Sequence, residues 1–149
     1  MSQNFQQFTL SAEKGFLANG VNNNILALKI KNDSTSTFGP GTAVKLVNVS
    51  GYKDAVIDKA AAGDTIFGFI AYRTKRATPV AGEIVDVAFS GSFMRMEAGA
   101  AINAGASVEI VASGDKVVTL NTNTKVGVAM KSASATGDII TVLITTPGI

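Results

Sequence analysis

Residues Gly105–Thr145 read GASVEIVASGDKVVTLNTNTKVGVAMKSASATGDIITVLIT. Four short apolar runs lie within this stretch: Val108–Val111, Val117–Leu120, Val126–Met130 and Ile139–Ile144. They are rich in β-branched residues and too short for helices. Ser-Gly-Asp, Asn-Thr-Asn and Thr-Gly-Asp separate them, and these are turn residues. The stretch predicts a strand meander.

The same order occurs upstream. Pro40–Val47 matches Ala104–Val111, aligning Gly41 with Gly105 and Val44 with Val108. Ala55–Ile57 answers Lys116–Val118, Ile66–Ala71 answers Lys125–Met130, and Gly82–Val85 answers Gly137–Ile140. The offset falls from 64 to 55 residues along the chain, so the first copy has the longer loops. An internal duplication is expected. Two copies are too few for a solenoid, and either copy alone would leave sheet edges and an apolar face exposed. The predicted fold is all-β: a small β-barrel or β-sandwich built from two similar four-strand units, with an N-terminal arm. Residues 1–38 hold the arm plus a first strand, Ile25–Ile30. Residues 39–149 form the barrel or sandwich, with the repeat at about 39–89 and 103–145. Gly68 and Gly127, each inside a strand, would mark the bends or bulges that closure needs. Between the copies, Phe89–Met96 reads as a strand with a central bulge at Gly91. Glu97–Asn103 reads as a helical turn or an Ω-like connection.

The composition narrows the chemistry. The chain has 149 residues, no cysteine and no histidine. That removes disulfides, thiolate metal sites and the usual general base near neutral pH. Catalysis would fall to carboxylates, lysine or tyrosine. Asp54 and Asp58 are four residues apart around a strand, about 13 Å between side chains on one face, too far for a direct dyad. Asp64, Glu83, Asp115 and Asp138 each adjoin a glycine in a turn, where hydrogen bonding to the local backbone accounts for them. No D-x-D-x-D-G calcium loop and no phosphate loop is present. No catalytic, cofactor-binding or metal-binding residue is assigned, and no cofactor is expected.

The formal net charge is +2 and charged residues make up 16%. A polar, weakly charged surface suits assembly. No apolar run approaches the roughly 18 residues of a membrane span, and MSQNFQQFTL lacks the features of a signal peptide. A soluble protein made without secretion, with no membrane partner, is expected. Arg73-Thr-Lys75-Arg76 is either a solvated hairpin loop or a contact for an acidic partner surface. Acids nearly balance bases, so nucleic acid is not an expected partner. Arg95 either covers apolar surface with its stem or pairs across a subunit interface. Residues 1–24 either fold back on the barrel or form an arm docked on a neighbouring chain. Phe5 and Phe8 would anchor that arm.

From about Gly39 to Thr145 the chain resembles the structural cement, or head-decoration, proteins of tailed bacteriophages. The resemblance rests on Gly41-x-x-Val44, Ala61–Asp64, Ile66–Ala71, and Ala81–Ala88 leading to Ser90–Phe93. It continues through Ala98–Ala104 into Gly105-x-x-Val108, then Gly114–Val118, Val126–Ala129 and Gly137–Ile144. Order carries the match more than any single motif, and the region up to Phe38 is longer and more polar than in compact members. The resemblance implies a non-enzymatic virion component made in the host bacterial cytoplasm. It would bind the outer capsid surface, clamp neighbouring subunits of the major capsid protein, and form a homo-oligomer, a trimer being favoured. Candidate capsid or subunit contacts are Phe5, Phe8, Arg73, Lys75, Arg76 and Arg95. The alternative is a receptor- or glycan-binding module of a phage fibre or spike. Against it, there is no tryptophan and only Tyr52 and Tyr72.

Overall fold

A computed structural model describes residues 14–17, 23–72 and 79–147. Among these residues there are ten strands and no helix. The strands are β1 (Ile25–Ile30), β2 (Ala43–Val47), β3 (Val56–Lys59), β4 (Gly68–Ile70) and β5 (Ile84–Ala88). Then come β6 (Phe93–Glu97), β7 (Ser107–Ile110), β8 (Val117–Thr119), β9 (Gly127–Ala129) and β10 (Ile139–Ile144). The first five close into a barrel in the order β1-β3-β2-β4-β5. The last five form a sheet in the order β6-β10-β9-β7-β8. A parallel bridge from Ala98 to Val117 brings the two edges of that sheet together, so it curls into a second barrel.

Strand register makes the two halves equivalent. Val44 pairs with Lys59 and Gly68, and Val108 pairs with Thr119 and Gly127. Lys29 pairs with Ile84, and Glu97 pairs with Ile139. Ile30 lies parallel to Ile57, as Ala98 does to Val117, so Ile57 answers Val117 and the sequence match of Ala55–Ile57 to Lys116–Val118 shifts by one residue. The Lys31 amide donates to the Ile57 carbonyl at 2.9 Å, and the Gly99 amide to the Val117 carbonyl at 2.8 Å. The sequence predicts four strands per unit, and the register adds a fifth to each. Ile25–Ile30, grouped with the arm on sequence, is a barrel strand, and Phe93–Glu97 is its counterpart. Gly91 lies in the turn before β6, with φ of 96°, and not in a strand bulge. Residues 97–103 form no helical turn: Ala98 and Ile102 bridge to Val117 and Ala133.

Each barrel has its own filling. Leu28, Ile30, Phe38, Val44, Ile57, Ile70, Val85 and Val87 fill the first. In the second, Ala98 stands for Ile30, Ala129 for Ile70, Ile102 for Phe38 and Met96 for Leu28, while Ile140 is larger than its counterpart Val85. Side chains alternate across a strand, so Ala43, Phe69 and Ala88 point out of the first barrel. They are nonetheless buried, and with Ala60, Ile66 and Ala71 they join the core of the second barrel. The contact falls at the end of the second barrel formed by the β7–β8 turn and the close of β10. There the Ala43 amide donates to the Gly114 carbonyl and the Gly91 amide to the Ile144 carbonyl, both at 2.9 Å. The first barrel's side thus seals one end of the second.

Gly68 and Gly127 are required for close approach between strands. A Cβ on Gly68 would stand 2.4 Å from the Ala88 carbonyl oxygen, and one on Gly127 2.5 Å from that of Leu143. These are equivalent positions, and neither glycine has positive φ. Gly68→Ala and Gly127→Ala should each cost about 1–3 kcal/mol, the range for overpacking. Denaturant midpoints will measure this, and an unchanged midpoint would contradict the steric account.

Candidate functional surface

The carboxylates close loops. Asp58 accepts from the Ser34 hydroxyl at 2.6 Å and from the Lys59 amide at 2.8 Å. Asp64 accepts from the Ala61 amide at 2.8 Å and from Lys45 Nζ at 3.0 Å. Asp138 accepts from the Ser134 amide and hydroxyl and from the Ala135 amide. Glu83 accepts from the Val80 amide at 2.7 Å, and Asp115 accepts from the Ser113 hydroxyl. Among the described residues no cluster of three or more acidic side chains could hold a metal ion.

Glu109 shows how the copies diverged. It occupies on β7 the place of Lys45 on β2, and Asn123 occupies the place of Asp64. In the first copy a lysine on the strand meets an acid in the loop. In the second, a glutamate on the strand gathers the loop itself. Its carboxylate accepts the amides of Asn121, Thr122 and Asn123 at 2.9, 3.0 and 2.9 Å, and Asn123 Nδ2 at 3.1 Å. The amides of Asn121 and Asn123 lead in holding its pKa below the usual glutamate value. Backbone donation from Ala61, then the Lys45 ammonium, lowers that of Asp64.

A depressed carboxylate pKa contributes stability that is complete above the unfolded value and is lost as pH falls through the folded one. Glu109→Gln should therefore lower the thermal midpoint at neutral pH, with the gap to the parent narrowing as pH drops below the ordinary glutamate range. Thermal melts across that range will test this. A gap that is constant with pH would show that the charge does not hold the loop.

Phe5, Phe8, Arg73, Lys75 and Arg76 lie outside the described residues; Arg95 is described. The residues flanking the first two groups meet beside the third. Segment 14–17 lies along the outer edge of β6. The Gly15 amide donates to the Arg95 carbonyl at 2.7 Å, and the Arg95 amide to the Phe16 carbonyl at 2.8 Å. Leu17 bridges to Met94. Tyr72, immediately before Arg73, donates its amide to the Gly15 carbonyl at 3.0 Å. The Phe16 and Tyr72 rings lie 4.3 Å apart between centroids. Gly15 has φ of 79°, and a Cβ there would come within 2.4 Å of Pro40 Cβ. Close by, Glu97 lies 3.8 Å from Lys14 and 3.4 Å from Lys116. Arg95 is half-buried on β6. A groove lined by Lys14, Pro40, Thr42, Lys59, Tyr72 and Asp115 runs past this junction.

Sequence reasoning missed the strand-like docking of Lys14–Leu17. Four residues carry no periodicity, and the reason for a glycine at position 15 appears only once Pro40 is placed against it. The Lys45-to-Glu109 exchange was visible in the repeat alignment, but its purpose needed the loop.

The fold has a solved relative. The structure of the head fiber gp8.5 N base of bacteriophage phi29 superposes with a TM-score of 0.57 at 17% identity. The match covers 83% of this chain and 94% of that one. At that identity the likeness is one of fold. No curated protein matches the sequence. The family model described as phage cement protein matches residues 35–145, and the chain belongs to that family.

Proposed function

We propose that this protein binds the outer surface of a phage capsid as a homotrimer and clamps neighbouring subunits of the major capsid protein, without enzymatic activity. Family membership supports a structural, capsid-associated role in the virion. The observation that carries the finer reading is the junction at β6. Segment 14–17, which follows Phe5 and Phe8 in the chain, and Tyr72, which precedes Arg73, Lys75 and Arg76, are joined there beside Arg95. Phe16, Tyr72, Lys14 and Arg95 meet at this junction, and aromatic and basic side chains brought together suit attachment to a protein surface. A clamp of this kind stabilises the shell because it binds assembled subunits in preference to separated ones. A trimer touching several subunits gains further through effective concentration.

A density gradient of lysate from infected cells tests the role. The protein should travel with full heads and remain on heads that lack tails. Sedimentation with tails would favour a fibre or spike module, and protein left free at the top of the gradient would contradict capsid binding. Two variants test the surface. Deleting residues 1–10 should lower occupancy on heads while leaving the thermal transition of the barrels in place. Reversing Arg73, Lys75 and Arg76 to glutamate should also lower occupancy. Unchanged occupancy in either variant would remove that segment from the contact.

A further inference from the structure

The duplication offers a template for self-assembly. Inside the chain, the side of the first barrel seals an end of the second, burying Met94, Ile110, Val126 and Ile144. By strand register their counterparts in the first barrel are Leu26, Leu46, Phe67 and Phe89. Leu26 and Leu46 are 44% and 51% exposed. Phe67 and Phe89 are half-buried and stack at 5.7 Å between centroids. The first barrel therefore has the same apolar mouth, uncovered among the described residues.

The sealing face also has an uncovered counterpart. Ala60, Phe69, Ala71 and Ala88 of the first barrel correspond to Leu120, Val128, Met130 and Leu143 of the second. Leu120 is 37% exposed and Met130 51%, with Val128 and Leu143 half-buried. Ala43 and Ile66 give way to the polar Ser107 and Lys125, while alanine has become leucine or methionine at Ala60, Ala71 and Ala88, which raises the apolar area on offer at those three positions. Among the described residues each copy thus carries one unmated half of each kind, and the two halves are the equivalents of a pair already mated within the chain.

We propose that the partner of both is a second copy of this chain. The Leu120–Met130 face of one copy sits on the Leu26–Leu46 mouth of the next, repeating between chains the contact that joins the barrels within a chain. The two patches differ, so the contact is heterologous, and a closed oligomer built from it is a ring in which first and second barrels alternate. This deepens the homo-oligomer part of the proposed function and does not depend on capsid binding.

The chain has no cysteine of its own, so the contact can be tested by directed cross-linking. The counterparts of Leu46 and Leu120 are Ile110 and Ala60, which share one core cluster. Full-length Leu46→Cys and Leu120→Cys chains are made separately and also co-expressed, then treated with a short bis-maleimide. The covalent dimer should form in the co-expressed sample and in neither alone. Leu46→Asp, at an exposed site, should reduce the mass by light scattering to that of a monomer with the thermal transition retained. A parent protein that is monomeric would overturn both this contact and the homo-oligomer reading. A defined oligomer that cross-links within a single-variant sample, or in no sample, would overturn this contact and leave the homo-oligomer reading in place.

Discussion

Two small barrels become one body through a single contact, the side of the first against an end of the second. The contact depends on small residues. Ala43, Ala60 and Ala88 let backbone approach backbone, and Gly114 is held so close that a Cβ would stand 2.3 Å from the Ala60 carbonyl oxygen. Phe69 fills what the alanines leave. Each barrel alone is small, and the fraction of surface that a chain buries on folding rises with its size. Sharing a core is how a chain with no disulfide gains the stability of a larger domain. Segment 14–17 adds a second tie, joining Tyr72 of the first half to β6 of the second.

That architecture decides where the charge goes. Most of the acidic side chains whose contacts are seen close their own loops, and Lys45 is drawn into the same task. Glu109 does with loop amides what the Lys45–Asp64 pair does in the other copy. Part of what remains for contact with other molecules is apolar: Leu26, Leu46, Leu120 and Met130. An exposed apolar surface of this kind suits contact with other proteins. A carboxylate committed to a loop is not available for acid–base chemistry, which is consistent with a structural role.

Much of this was legible in the sequence. The Gly-x-x-Val strand, the glycine-led strand and the Gly-acid closing strand gave the all-β class, the duplication and the resemblance to phage cement proteins. Those signals are local: turn residues and alternation. β1 and β6 escaped the repeat because ILALKI and FMRME share only alternation. What makes them equivalent is the parallel pairing of β1 to β3 and of Ala98, next to β6, to Val117 of β8, which no local pattern encodes. Gly68 and Gly127 read correctly as architecture, yet their cause is the approach of a neighbouring carbonyl. The contact candidates were named from residue type alone. Segment 14–17 could not be found that way, because its role exists only once Pro40, Arg95 and Tyr72 surround it.

Native-state hydrogen exchange tests the shared core most directly. The Ile70 amide in the first barrel and the Ala129 amide in the second hold equivalent backbone hydrogen bonds, to Thr42 and Ala106. If the seal makes the barrels one cooperative unit, both amides exchange with the free energy of global unfolding, and Phe69→Ala lowers the two together. Two separate opening energies, with Phe69→Ala shifting only one, would show that the barrels fold independently and that the seal is incidental.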